Sequence, residues 1–331
     1  MKKKWARFTN PDESVLSSWL NSEEAGELHF DRLHPVAREA LFGYRGQLRD
    51  PFPRIESHGH YVFGMLAAPT SIHDAATEFC VLHFAADIDE MVTVIRSSPN
   101  FDVSKIEDAL ATNDPLRENP EANTGLIFAK VVEVFISVIE ASTEALKDRI
   151  LADIRGVAML RNSKASKDDT LELANLHRQA VANQTEVLGL KTLVEETKNL
   201  LTAIAEDKVD VKRTADSKSE DLFPRFVEIL IMDLLMRARH QKAIQANLQE
   251  ELDAVFDQHH EIQGIRQTAA AKRFSGMLSI LLFPQLIVAF FGQSFRNAPL
   301  YNHRFGWIIS LMMVAFVSLL QYIFFKKKRW L

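Results

Sequence analysis

The sequence is poor in cysteine and contains no recognisable catalytic motif. Cys80 is the only cysteine, which excludes a disulfide framework and a thiolate metal cluster. There is no G-x-S-x-G, H-E-x-x-H, Walker loop or G-x-G-x-x-G pattern, and each of these would have suggested a particular chemistry. The sequence therefore offers no support for an enzyme.

Acidic residues are missing from the C-terminal stretch Gly292–Leu331. This stretch has no Asp or Glu and carries +6, and because the whole chain has a net charge of −5, the preceding residues carry −11. An acidic soluble part argues against nucleic-acid binding, which needs a concentrated basic surface. The basic N-terminus Met1–Trp5 is not followed by an apolar run, so no signal peptide is expected.

Two runs without a charged residue lie near the C-terminus, and they predict two membrane-spanning helices. Phe274–Phe291 and Phe305–Phe325 have about the length that a helix needs to cross the hydrocarbon core of a bilayer. The first run contains Pro284, which a membrane helix tolerates when neighbouring groups satisfy the freed carbonyl. The alternative interpretation is two buried core helices.

Basic residues at the ends of these runs predict the orientation. Lys272 and Arg273 precede the first run, and the tail 326–331 contains a basic cluster. Since basic flanks stay on the cytosolic side, we expect both termini in the cytosol and the loop 292–304 outside. The expected localisation is the plasma membrane, the inner membrane in a bacterium, with two spans.

Residues 1–122 predict a mixed α/β domain in the cytosol. Short runs of β-branched, aromatic and apolar residues alternate there with polar turns such as Ser57-His58-Gly59, a pattern typical of strands. The predicted strands are Glu27–Phe30, Tyr61–Ala68, Glu78–Ala86 and Met91–Ser97. Pro35–Gly43 predicts a short helix that ends at glycine.

Residues 123–273 predict a helical hairpin and a long stalk helix, because apolar residues recur every three or four positions. The hairpin helices are expected over Leu126–Leu160 and Thr170–Ala205, and a loop over Glu206–Glu220. The third helix is expected to be capped by Asp221, with Pro224 in its first turn. It continues into the first span and is about 100 Å long, so it must pack against other helices or other copies.

This order of parts resembles the CorA family of divalent-cation channels, which also includes the ZntB-type zinc transporters. The C-terminal sequence FKKKRWL, Phe325–Leu331, is similar to that family's KKKxWL terminus. The segment Pro53–Glu56 followed by Tyr61–Phe63 is similar to its PRxE…YxF segment. The resemblance implies a funnel-shaped homopentamer with the long helix lining the pore, and passive transport of divalent ions, Mg²⁺ foremost.

The family's Gly-Met-Asn or Gly-x-Asn signature corresponds to Gly292-Gln293-Ser294 in this chain. The resemblance implies an outer filter there, with a serine hydroxyl in place of the longer amide. The outer loop also lacks acids and carries Arg296 and Arg304. Two alternatives follow: a channel for Mg²⁺, or for Zn²⁺, Co²⁺ or Ni²⁺, and a CorA-shaped membrane-anchored scaffold or regulatory protein that does not conduct.

Counting back from Gly292 in steps of three or four defines one face of the long helix as the candidate pore lining. Its members in and near the membrane are Gln285, Leu282, Leu278, Ser275 and Thr268. Leucine rings could gate by dewetting. Rings of Asp257 and Glu261 at the cytosolic end would raise the local cation concentration. The alternatives are a solvated face for the two acids and an interhelical hydrogen bond for Gln285.

The resemblance also implies regulatory Mg²⁺ ions bound by carboxylates at subunit interfaces. Asp233 is a candidate by position, and Asp87 and Asp89 follow a predicted strand, although an ordinary acidic turn also explains the last two. His259-His260 beside the predicted acidic rings suggests zinc, but adjacent helical residues face different sides. The expected partners are other copies, the membrane and divalent ions, without nucleic acid and without another cofactor.

Overall fold

The computed structural model describes residues 4–29, 31–42, 52–69, 79–97, 103–118, 122–162, 167–209, 211–215, 218–292 and 305–327. The chain divides into two compact units. The first unit consists of Met1–Met159 and Ala174–Val255, and the second of Leu160–Leu173 and Phe256–Leu331.

A five-stranded sheet forms the centre of the first unit. Its strands are β1 Lys4–Thr9, β2 Arg54–Ser57, β3 Val62–Pro69, β4 Phe79–Ala86 and β5 Glu90–Arg96. They are ordered β1-β5-β4-β3-β2, with β1 parallel to β5 and the other neighbours antiparallel. The predicted strands that begin at Tyr61, Glu78 and Met91 are therefore confirmed to within a residue at each end.

In the described part of the first unit, four short α-helices and one 3₁₀ helix accompany the sheet. The α-helices are α1 Glu13–Leu20, α2 Pro35–Phe42, α3 Ser104–Thr112 and α4 Pro115–Glu118, and the 3₁₀ helix is Glu23–Leu28. The short helix predicted from Pro35 is thus confirmed up to Phe42. The strand predicted over Glu27–Phe30 is wrong, because Glu27 and Leu28 belong to the 3₁₀ helix and His29 follows as its C-terminal cap.

Two apolar layers explain why β3, β4 and β5 have continuous apolar sequences rather than alternating ones. On one face Leu82 and Phe84 are buried together with Phe128 and Phe223, and the rings of Phe84 and Phe128 are 4.9 Å apart. On the other face the sheet packs against α1 and α2; this layer contains Leu16, Leu20, Leu41, Phe63, Val92 and Val94. A strand that is covered on both faces has a nearly continuous apolar sequence, and the buried exceptions here are His83 in β4 and Glu90 and Thr93 in β5.

Three long helices follow, together with a small hairpin that was not predicted. The helices are α5 Thr124–Asn162, α6 Lys167–Ala205 and α7 Arg225–Gly292; the hairpin consists of β6 Lys212–Ala215 and β7 Lys218–Asp221. The loop predicted over Glu206–Glu220 is therefore wrong in this part, because the two short strands pair with each other. Asp221 ends β7, and α7 begins at Arg225, so Asp221 is not its cap.

Among the described residues, two helices are long and apolar enough to span a bilayer, and both potential spans lie in the second unit. They are the C-terminal part of α7 and α8, Gly306–Lys327. Their large apolar side chains are exposed, for example Leu281 at 67% and Phe316 at 64%. The alternative of two buried core helices is therefore not supported. Such a large apolar surface needs a lipid environment or partner chains.

Candidate pore face and cation sites

In the second unit the predicted pore residues share one exposed side of α7. Leu278 and Leu282 are 45% and 57% exposed, and the polar members Thr268, Ser275 and Gln285 are exposed as well. Half a helical turn away, Gly276 is buried and Ile280 and Ile287 are partly covered. Other sides of α7 are exposed as well, for example at Met277 and Phe283, 52% and 55%, so exposure within one chain is compatible with the predicted pore face but does not single it out.

Hydroxyl groups near this face bond back to their own helix. Thr268 Oγ1 donates to the carbonyl of Gly264 over 2.8 Å, and Ser279 Oγ donates to the carbonyl of Ser275 over 2.9 Å. Such bonds satisfy the hydroxyl hydrogens without a partner helix. Pro284 lies inside α7 and has no N–H, so it cannot donate to the carbonyl of Ile280.

The two acids predicted to form rings have different surroundings. Asp257 is exposed. Glu261 accepts a hydrogen bond from Arg161 of α5, with Nη2 and Oε1 3.2 Å apart, and both side chains are about half exposed. Arg161 therefore offsets part of the charge that Glu261 contributes.

The adjacent histidines of α7 point to different sides, as predicted. His259 is 1% exposed, whereas His260 is exposed. In the described part of the chain, no three His, Cys, Asp or Glu side chains are close enough together to hold one metal ion. The geometry of a single chain thus gives no support to a zinc site built from these histidines.

Asp87 stabilises the turn between β4 and β5. Its side chain is fully buried, and Oδ1 accepts hydrogen bonds from the backbone N–H groups of Asp89 and Glu90, at 2.8 and 2.6 Å. This is the short-range bonding that favours aspartate at turns. One oxygen of Asp87 is therefore committed to the turn, and Asp89 lies beside it, partly exposed.

Glu90 is an acidic group at this turn that the sequence analysis did not identify. It is 5% exposed, and its carboxylate lies so close to Gly26 that a Cβ atom at that position would be 2.2 Å from Glu90 Oε2. Burial raises the pKa of Glu90, and the charges of Asp87 and Asp89 raise it further. The only local signal was the sequence Asp87–Glu90, which does not reveal burial.

Asp233 lies on α7 with an exposed side chain. Exposed apolar residues surround its position on the helix: Ile229, Met232 and Met236 are 59%, 47% and 59% exposed. Within one chain Asp233 does not join Asp87 and Asp89 in a metal-binding group among the described residues. A carboxylate beside an exposed apolar stripe is the arrangement expected where a second surface completes a site.

Of the predicted outer filter Gly292-Gln293-Ser294, the structure describes only the first residue. Gly292 is the last residue of α7, and Gln293 and Ser294 lie outside the described residues.

A further polar group was missed by the sequence analysis and lies between α5 and α6. Asn183 Nδ2 donates to Asp153 Oδ2 over 2.8 Å, and Arg149 Nη2 pairs with Glu186 Oε2 at 2.5 Å. Asp153 and Glu186 are only 4% and 3% exposed, and burial raises the pKa of each carboxyl. In the sequence these residues are indistinguishable from the solvated charges of an amphipathic helix.

The α/β unit, the 68-residue helix α7 and the two helices long and apolar enough to cross a bilayer are features of an integral membrane protein. The family profile of the CorA-like Mg2+ transporter protein matches residues 4–327. The chain belongs to this family of divalent-cation transporters. No curated protein sequence gives a significant match.

Solved structures with similar folds agree with this assignment. The complete CorA magnesium transporter of Methanocaldococcus jannaschii has 13% identity and a TM-score of 0.66, over 99% of this chain and 91% of that one. Full-length CmaX has 16% identity and a TM-score of 0.59, over 98% and 88% of the two chains. The soluble domain of the same M. jannaschii protein has 11% identity and a TM-score of 0.53, over 76% and 86%. At these identities the likeness establishes the fold alone.

Proposed function

We propose that this chain is the subunit of a homopentameric channel that passes divalent cations, Mg²⁺ foremost, down their electrochemical gradient. The observation that carries the proposal is the composition of one exposed face of α7 in the second unit. The polar residues Thr268, Ser275 and Gln285 lie there on the same side of the helix as Leu278 and Leu282. Membership of the CorA-like Mg2+ transporter family supports the same conclusion.

The chemistry of this face suits a hydrated ion. Mg²⁺ loses its water reluctantly, so neutral oxygens that bond to its water shell fit it better than a dehydrating cage. Asp257 would attract cations electrostatically. Glu261 would add the part of its negative charge that Arg161 does not neutralise. Leu278 and Leu282 would form apolar constrictions that close by dewetting.

The proposal includes the orientation in the bacterial inner membrane. Both termini lie in the cytosol, because Lys272 and Arg273 precede the first span and basic residues follow the second. A negative interior then drives cations inward with about 2.3 kcal/mol per charge for each 100 mV. Regulatory Mg²⁺ at subunit interfaces is part of the same proposal, with Asp233 and Asp89 as the accessible candidate ligands, whereas Asp87 is fully buried and stabilises its own turn.

The decisive experiment is ion flux into proteoliposomes with Mg²⁺, Zn²⁺, Co²⁺ and Ni²⁺ offered separately, together with native mass spectrometry of the same preparation. The proposal expects a pentamer that admits Mg²⁺ and responds to membrane potential. A monomer or dimer in the detergent preparation would contradict the pore architecture. A pentamer that admits another divalent ion but not Mg²⁺ would contradict the proposed ion and leave the proposed pore architecture standing.

A non-conducting scaffold is the second candidate, and the outer sequence favours it. Ser294 replaces the family's Asn, and Arg296 and Arg304 make the loop basic. If the filter works, Ser294→Asn should tighten the apparent Mg²⁺ affinity by at most one to two decades, since a hydrogen bond to a charged group contributes no more than about 1.5–3 kcal/mol and a decade needs about 1.4 kcal/mol.

Three proteins separate the two candidates: the parent, Ser294→Asn, and Ser294→Asn combined with Arg296→Gln and Arg304→Gln. A scaffold predicts no flux from any of them, even though each assembles. A channel predicts flux from the parent, and tighter apparent affinity in the single variant.

A further inference from the structure

The chain contains no acidic residue after Glu261. Residues 262–331 include nine Lys and Arg residues and no Asp or Glu. The cations beside the two spans therefore cannot be neutralised by carboxylates from this part of their own chain. Any fixed counter-charge for them therefore comes from another part of the chain, from another copy or from a bound anion.

Four of these cations lie where the two spans begin and end. Lys272 and Arg273 directly precede the charge-free run of α7, and Lys326 and Lys327 are the last residues of α8. The run from 274 to 291 and the run from 305 to 325 are each about 30 Å long at 1.5 Å per residue, which is the thickness of the hydrocarbon core. Two successive full spans bring both basic pairs to the same surface of the membrane.

All four side chains are exposed. None has an ion-pair partner among the residues that the structure describes. Lys326 alone has a neighbour of note: its Nζ lies over the ring of Tyr322, 5.7 Å from the centroid. An aromatic ring of this kind prefers the level of the headgroups, so this contact holds the ammonium group at that level.

We propose that Lys272, Arg273, Lys326 and Lys327, the basic collar, bind the phosphate groups of anionic phospholipids. Juxtamembrane clusters of four to eight Lys and Arg residues have the charge density that attracts anionic headgroups. Lipid phosphate is the favoured source because the collar lies at the depth of the headgroups. The surface also meets it at a concentration that free phosphate in solution does not reach.

The test is a titration of phosphatidylglycerol into the detergent-solubilised full chain, with the midpoint of thermal unfolding as the readout. Parallel titrations use phosphatidylcholine and inorganic phosphate. We expect phosphatidylglycerol to stabilise the protein, with less effect at high salt, and the other two ligands to have little effect. Native mass spectrometry of the parent should show phosphatidylglycerol retained in preference to phosphatidylcholine.

Two charge-removing variants locate the site: Lys272→Gln with Arg273→Gln, and Lys326→Gln with Lys327→Gln. Each cation near an anionic surface strengthens binding about fivefold, so each pair should raise the half-saturating lipid concentration about thirtyfold. The matched control is Arg155→Gln with Arg178→Gln, two exposed cations of α5 and α6 in the first unit, and it should leave the titration unchanged.

Three results would overturn the proposal. Equal stabilisation by phosphatidylcholine would show that the lipid effect is not electrostatic. Equal stabilisation by inorganic phosphate would identify a site for a free anion. Parent-like titration of both collar variants would place the lipid site elsewhere. If the variants fail to fold, native mass spectrometry of the parent replaces this third test, and equal retention of the two lipids would contradict the proposal.

Discussion

Asn183 donates a hydrogen bond to Asp153 across the buried contact between α6 and α5, with Nδ2 and Oδ2 2.8 Å apart. Asp153 is only 4% exposed, and burial raises the pKa of its carboxyl more than Asn183 and Arg149 lower it. The folded protein therefore holds a proton at Asp153 more tightly than the unfolded chain does. The stability contributed by the protonated form is lost as the pH rises from the unfolded pKa through the folded one.

Asp153→Asn should raise the thermal unfolding midpoint at neutral pH. The amide keeps an acceptor for Asn183 and removes a desolvated charge, an effect of about 1 kcal/mol or about 2–4 °C. The variant should also lose the decline in stability that Asp153 causes as the pH rises. Asp148→Asn makes the same chemical change at an exposed position of α5 and should leave the midpoint unchanged; a parent-like midpoint in both variants would contradict the argument.

Gly26→Ala should destabilise the first unit through Glu90. A Cβ atom would lie 2.2 Å from Glu90 Oε2, and the φ of 51° is unfavourable for alanine. Gly59 also has a positive φ, 83°, but has no atom within 4 Å of the Cβ position. Gly59→Ala therefore isolates the backbone cost, about 1–3 kcal/mol.

We expect the unfolding midpoint to fall further in Gly26→Ala than in Gly59→Ala. Adding Glu90→Ala should recover the difference, because it removes the clash and one acid of the turn. Equal losses in the two glycine variants would mean that the Glu90 carboxylate moves aside at little cost.

Cys80 should resist a membrane-impermeant maleimide in the folded protein. It is fully buried, and burial together with the charge of Glu107 raises the pKa of its thiol to about 12. The reactive thiolate is therefore scarce at pH 8. Mass spectrometry should find the label only after unfolding, and labelling of the folded protein would contradict the burial of Cys80.

Because burial shields Cys80 from the reagent, cysteines introduced elsewhere can be labelled selectively to test the orientation of the chain. Asn302→Cys lies in the predicted outer loop and Lys328→Cys in the predicted cytosolic tail. In intact cells the reagent should reach position 302 and not position 328. The reverse labelling pattern would invert the proposed orientation.

Asp257→Asn with Glu261→Gln should lower divalent-ion flux at low ion concentration, since it removes negative charge from the proposed pore mouth. The loss should shrink at 0.15 M salt, where the screening length is about 8 Å. Arg161→Gln should have the opposite effect, because it frees Glu261 from its ion pair. The control removes two exposed acids of α5, Glu144→Gln with Asp148→Asn, and unchanged flux in all these variants would place the two acids outside the ion path.

The membrane spans and the long helix could be predicted from the sequence because their signals are local. A charge-free run and a spacing of three or four between apolar residues are properties of neighbouring residues. The wrong predictions concern elements that have no such local signal. β6 and β7 are short and polar, and the 3₁₀ helix at Glu23–Leu28 is only six residues long and is kinked at Gly26. Candidate pore residues follow from spacing too, but their exposure on α7 does not.

The sequence by itself therefore determined the membrane character of the chain, its family and the continuity of α7 into the first span. Only the tertiary structure decided which charges are buried and which strands pair. Trp5 Nε1 donates to Thr93 Oγ1 at 3.0 Å because β1 joins β5 in parallel, and Asp153 and Glu186 are buried because α5 packs against α6. Burial and strand register are set by residues far apart in the chain, so no local pattern can encode them.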